Sequence, residues 1–174
     1  MEQISVYKKV GERRYREVYG LYYEDFEIGV TVEHRPGRTI TEADNVWFTQ
    51  LTMNPHPLHF DAHFASHTEW KKPLVNSCLT LAMVTGMSVT STSRNAVSNL
   101  GWDKVRLPAP VFVGDTIYAE STVLSKRPSE KRKGQGVVTV ETKGIKQDGT
   151  VFMTFERTFL VYLRDAAPHG GAGY

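Results

Sequence analysis

Four of the six histidines fall between positions 56 and 67, in the run Thr52-Met53-Asn54-Pro55-His56-Pro57-Leu58-His59-Phe60-Asp61-Ala62-His63-Phe64-Ala65 and just beyond it. Pro55 and Pro57 make the first part of this run rigid and non-helical, and such loops often carry function. A histidine held there can act as a general base near neutral pH. Three chemistries compete for these residues. His59, His63 and His67 are spaced by four, which would put them on one helix face as metal ligands, but no HExxH pattern accompanies them. Alternatively, His63 and His67 are polar residues on an exposed helix face. In the third reading His59 works as an acid or base with a polar neighbour. Asp61 fits best as a local hydrogen-bond partner that positions the loop.

The elements around this loop follow from patterning. Thr41 is a plausible N-cap and Asp44 its capping-box partner for a helix ending near Leu51. Asn76–Ser91 is apolar nearly all round, which predicts a helix in the core. Alternation and β-branched content predict strands over 30–40, 97–107, 116–126, 135–146 and 151–163. Asp148-Gly149 is a hairpin turn between the last two. The fold class expected is α+β, with a curved antiparallel sheet wrapped around one long buried helix. Residues 1–20 read as an N-terminal extension, 21–164 as the domain, and 165–174 as a loose tail rich in Gly and Ala.

Composition narrows the function. The 174 residues fit one domain, and a formal net charge of +2 argues against a nucleic-acid partner. The basic run Lys126–Lys133 reads either as a solvated loop or as an anion contact, for instance to a nucleotide phosphate. Cys78 is the one cysteine, so no intramolecular disulfide forms, and in its apolar run it is expected as a small buried hydrophobe. No apolar run approaches the ~20 residues of a membrane span, and the first twenty residues lack the apolar stretch of a signal peptide. The expected setting is cytoplasmic.

The segment Pro57-Leu58-His59-Phe60-Asp61-Ala62-His63-Phe64-Ala65 resembles the motif D-x-N-P-[LIV]-H-x-D-x-x-[FY]-A of MaoC-like dehydratases and R-specific enoyl-CoA hydratases. Lys72-Pro73-Leu74-Val75-Asn76-Ser77 is similar to the segment leading into that family's central helix, and Pro110-Val111-Phe112-Val113-Gly114-Asp115-Thr116 to its P-V-x-x-G-D-T segment. The resemblance implies a hot-dog fold, usually assembled as a homodimer. It also implies His59 as the catalytic histidine. The family's catalytic aspartate falls on Asn54, its intervening Asn on His56, and its His-Gly on Asn76-Ser77. His59 and Asn54 are therefore the candidate catalytic residues. Ser77, Asn76, His56 and Asp61 are the candidate substrate contacts, and no metal or other cofactor is implied.

Hydrating an enoyl thioester needs a base for the attacking water and a donor on the thioester carbonyl. His59 can be the base, and the Ser77 backbone N–H at the helix start can be the donor. Asn54 can orient water but cannot take a proton. His56 is either a replacement titrating group or a structural or substrate-contact residue. The leading function is reversible hydration of a 2-enoyl-CoA. Asn99–Asp103 and Phe48–Asn54 resemble the subgroup linked to mesaconyl-type substrates, which extends the reading to branched or dicarboxylic thioesters of mesaconyl or itaconyl type. A thioesterase, and an acyl-CoA-binding protein of reduced activity, are the alternatives.

Overall fold

A computed structural model of the chain describes residues 6–168. The segment expected as an extension forms a small hairpin, β1 (Tyr7–Gly11) and β2 (Arg14–Glu17), exposed along both strands. Strand β3 (Thr31–Thr39) leads into α1 (Glu42–Leu51). The expected capping box is present: Asp44 N–H donates to Thr41 Oγ1 at 3.2 Å, and Thr41 N–H donates to Asp44 Oδ2 at 2.9 Å. After the histidine loop and a short helix α2 (Ala62–Ser66) comes α3 (Ser77–Val89). Four long strands follow: β4 (Ala96–Arg106), β5 (Thr116–Pro128), β6 (Gln135–Lys146) and β7 (Val151–Tyr162). Residues 169–174, most of the expected tail, lie outside the described residues.

The sheet is antiparallel in the order β3-β5-β6-β7-β4. Burial alternates along β5 and β6 because successive side chains point to opposite faces, and α3 packs on the inner face. Gly149 (φ +85°) supplies the left-handed position of the β6–β7 turn, as Asp-Gly predicts.

Two apolar clusters fill the concave side. Ile40, Val75, Leu79, Val84, Ile117 and Phe155 gather under the start of α3. Phe26, Val123, Val138, Val140, Phe159 and Val161 form the other. Between them runs a polar belt, because the inward positions Ser121 on β5, Thr142 on β6 and Arg157 on β7 interrupt the apolar rows. His34 sits in this belt at 1% exposure, its Nδ1 2.6 Å from Ser91 Oγ and its Nε2 2.8 Å from Ser121 Oγ. Burial first, then the positive charges of Arg157 and Arg35, lower its pKa to about 4. Arg157 is equally buried, and its Nε and Nη2 have no hydrogen-bond partner among the described residues. Burial lowers its pKa to about 10.

Two expectations are corrected here. The helix expected to be buried on all sides is covered on one side only: Cys78, Ala82, Gly86 and Val89 are exposed. Cys78 is therefore not the buried hydrophobe its neighbours suggest, since it projects from the side of α3 away from the sheet. The basic run continues β5 to Pro128 before turning, and Lys126 lies over the Tyr23 ring at 4.9 Å with its Nζ donating to Tyr23 O. No helix among the described residues is long and apolar enough to cross a membrane.

Candidate active site

The histidine loop is built by local polar contacts. Met53 takes a left-handed conformation (φ 56°) that ends α1, and Asn54 N–H donates to Thr49 O at 3.0 Å. Asn54 Oδ1 then accepts from His56 N–H at 3.0 Å. His56 Nδ1 accepts from Leu58 N–H at 3.2 Å, capping a single 3₁₀ turn over Pro57–His59. Asp61 caps α2 by accepting from Phe64 N–H at 2.9 Å. The Asp61 carboxylate is thus engaged in holding the loop, while the exposed His63 and His67 meet edge to face at the end of α2, with ring centroids 4.7 Å apart. Among the described residues no three His, Cys, Asp or Glu side chains converge as a metal site.

His59 is half-buried, and its Nδ1 lies 2.8 Å from Leu74 O. A carbonyl oxygen can only accept, so Nδ1 carries the proton. In the neutral ring Nε2 is then the basic nitrogen. The opposite holds for His56. Its Nδ1 accepts from a backbone N–H, so Nδ1 is unprotonated and Nε2 carries the proton. The two rings stand 5.9 Å apart at 55°, one presenting a lone pair and the other a donor.

The tie between this loop and α3 is Asn45, which is 1% exposed. Its Nδ2 donates to His59 O at 2.8 Å and to Leu74 O at 3.1 Å, and its Oδ1 accepts from Asn76 N–H at 2.8 Å. Asn45 was missed in the sequence because it stands mid-helix with no motif around it. An asparagine directly after the capping box Thr41–Asp44 was the signal available. Asn76 is buried as the N-cap of α3: its Oδ1 accepts from Cys78 N–H at 2.9 Å, and its Nδ2 donates to Thr49 Oγ1 at 3.3 Å. Ser77 opens the helix at the surface, where the first N–H groups lack intrahelical acceptors.

A cavity of about 240 Å³ opens beside Ser77, walled by Trp70, Leu74, Pro108, Val111 and Phe152. Leu74 therefore both lines the cavity and supplies the carbonyl that orients His59. Beyond Val111 the chain turns at Gly114-Asp115. Gly114 has φ +94°, and Asp115 accepts from Phe112 N–H at 2.9 Å and from Lys146 Nζ at 3.2 Å. Burial alone would raise the Asp115 pKa, but the donors from Phe112, Gln147 and Lys146 outweigh it and hold the carboxyl low. Neither histidine is among the residues that wall the cavity; Leu74, which lines it and binds His59 through its carbonyl, is the link between the histidine pair and the cavity beside Ser77.

The sequence profile of the MaoC like domain matches residues 25–145, and the chain belongs to this family. It is 33% identical over 148 residues to a mesaconyl-CoA hydratase of Cereibacter sphaeroides, covering 85% of this chain and 43% of that protein. It is 34% identical over 146 residues to a beta-methylmalyl-CoA dehydratase of Chloroflexus aurantiacus, covering 84% of this chain and 41% of the relative. The chain thus spans about two fifths of the length of these relatives. Among solved structures, a putative MaoC domain dehydratase from Chloroflexus aurantiacus superposes with a TM-score of 0.80 at 33% identity, over 84% of this chain and 42% of the other. A Mycobacterium tuberculosis protein described as a double hotdog fold aligns with a TM-score of 0.75 at 21% identity, over 83% of this chain and 44% of that one. The fold is a hot dog, as the resemblance implied.

Proposed function

We propose that this chain is an enoyl-CoA hydratase-type hydro-lyase, adding water reversibly across the 2,3 double bond of an acyl-CoA thioester. The observation that carries the reading is the fixed tautomer of His59, whose Nδ1–H is held by Leu74 O and whose Nε2 is left as the acceptor. Water adds its oxygen to Cβ while His59 Nε2 takes one of its protons. The π electrons move to Cα and the carbonyl oxygen, where the Ser77 N–H and the helix dipole stabilise the negative charge. The His59 imidazolium then returns the proton to Cα. The sum is one water added, with no redox change and no second base. Asn54 Oδ1 accepts from the His56 N–H, so the amide's Nδ2 is the end that holds the water oxygen.

The named activities of the Cereibacter and Chloroflexus relatives support a branched or dicarboxylic acyl group of mesaconyl type. A homodimer is the assembly proposed. Strand β4 is paired on one side only, and Leu100 and Trp102 on it are 53% and 41% exposed. Trp102 donates to Thr85 Oγ1 and so joins the exposed side of α3 in one apolar surface. A second copy would bury that surface, and a monomer in sedimentation at micromolar concentration would refute this assembly. With one cysteine and so no intramolecular disulfide, a reducing cytoplasmic setting fits.

The deciding experiment is incubation with crotonyl-CoA and with mesaconyl-CoA, following enoyl absorbance. Loss of the absorbance without free thiol supports the hydratase. Thiol release would point to a thioesterase, and tight binding with no turnover to an acyl-CoA-binding protein.

A further inference from the structure

We infer that His56 is the residue that recognises the second carboxylate of a dicarboxylic enoyl thioester; the inference rests on the hydratase reading above. Three observations carry it. The Leu58 N–H occupies His56 Nδ1 at 3.2 Å, so that nitrogen acts as an acceptor. His56 therefore carries its ring proton on Nε2, which is left as a hydrogen-bond donor. Its ring is exposed, and it stands 5.9 Å from the ring of His59. Pro55 and Pro57 flank it, and the Asn54 side chain takes its N–H, so the direction of this donor is set before substrate arrives.

The spacing suits an enedioate. His59 reaches Cβ through one water. In an enedioate thioester the free carboxylate is bonded to Cβ itself, one carbon–carbon bond from the reacting centre. A donor one imidazole away from the base therefore falls at the distance of that carboxylate. In a simple enoyl thioester a methyl or methylene occupies the same place and leaves the Nε2–H to water. A hydrogen bond from an N–H to a carboxylate is charge-assisted and stronger than one between neutral groups.

The test uses His56→Asn and His56→Gln in the full chain, with kcat/KM measured on mesaconyl-CoA and crotonyl-CoA. Asparagine keeps a side-chain acceptor for Leu58 N–H, so the turn is retained while the distal donor is withdrawn. Glutamine returns an amide donor near the position of Nε2. The expected result is a fall of about 10- to 100-fold in the mesaconyl-to-crotonyl ratio for His56→Asn, with partial recovery in His56→Gln. An unchanged ratio, with both substrates losing rate equally, overturns the inference and makes His56 a loop-positioning residue. Inactivity of the wild type on both thioesters would instead sink the hydratase reading, so the two failures are told apart.

Discussion

The Nδ1–H of His59 donates to the backbone carbonyl of Leu74 at 2.8 Å, and the same carbonyl accepts from the Asn45 amide. One oxygen thus fixes both the tautomer of the base and its position relative to α3.

If His59 is the sole proton-transfer group, His59→Ala should lower kcat by about 10²–10⁴-fold. Far-UV circular dichroism should be unchanged, because among the described residues the ring makes a single hydrogen bond to the fold. Wild-type turnover in this variant would refute the assignment of the base.

Asn45→Ala should damage stability and rate together. It removes two donors and one acceptor at a site 1% exposed, leaving the Asn76 N–H and the His59 carbonyl buried without their partner. Such losses cost about 2–4 kcal/mol in sum. A urea titration should show the midpoint fall, and kcat should drop even where the variant is fully folded. A variant with wild-type kcat would mean that Asn45 only holds the fold.

Asn54→Asp places a carboxylate where the motif that this loop resembles has one. Asp can still accept from the His56 N–H through Oδ1, so the loop should survive. A second proton acceptor beside His59 should raise kcat/KM on crotonyl-CoA. Steady-state kinetics on the purified variant decides this. If the wild type is inert on every enoyl thioester and only the variant turns over, the chain is a binding protein.

The strands and the two long helices were legible because their signals are local: alternation, an Asp-Gly turn, a capping box. Hairpin β1–β2 was not, since both strands are exposed and carry no alternation. The open side of α3 escaped for a different reason. An apolar helix facing a core and one facing a partner surface have the same composition, so Cys78 and Val89 gave no sign of exposure. Within the site, His59 and Asn54 were singled out by a motif resemblance, and Asn76 was expected as a substrate contact, whereas its buried side chain caps α3. Asn45 was not singled out, because its partners lie 14 to 31 residues away and only the folded chain brings them together.

His34 sets an acid limit on stability. Its pKa in the folded chain is about 4, below the ordinary 6.5. The unfolded chain therefore binds a proton that the folded one refuses between these values. Stability should be full above about pH 6.5 and fall as the pH drops toward 4, by about 3 kcal/mol from this residue. Urea midpoints from pH 4 to 7.5 should show that slope, and His34→Gln should flatten it. An equal slope in both proteins would assign the acid sensitivity to other groups.

Arg157 makes the opposite prediction, that removing a buried group helps. Its Nε and Nη2 lack partners among the described residues, and the guanidinium lies over the Phe159 ring at 4.9 Å. A desolvated charge without a counterion loses hydration and gains little in return, so an apolar residue of similar length should fit better. Arg157→Met should raise the urea midpoint at pH 7.5, by about 1–3 kcal/mol in stability. It should also weaken the acid slope, because Arg157 is the larger of the two charges that lower the His34 pKa after burial itself. The double variant with His34→Gln should then show coupling between the two positions at pH 5 and little at pH 7.5. A lower midpoint in Arg157→Met would mean that the guanidinium has an acceptor in the assembled protein, and a crystal structure of the wild-type assembly should then place a partner carboxylate or a bound anion against Nε and Nη2.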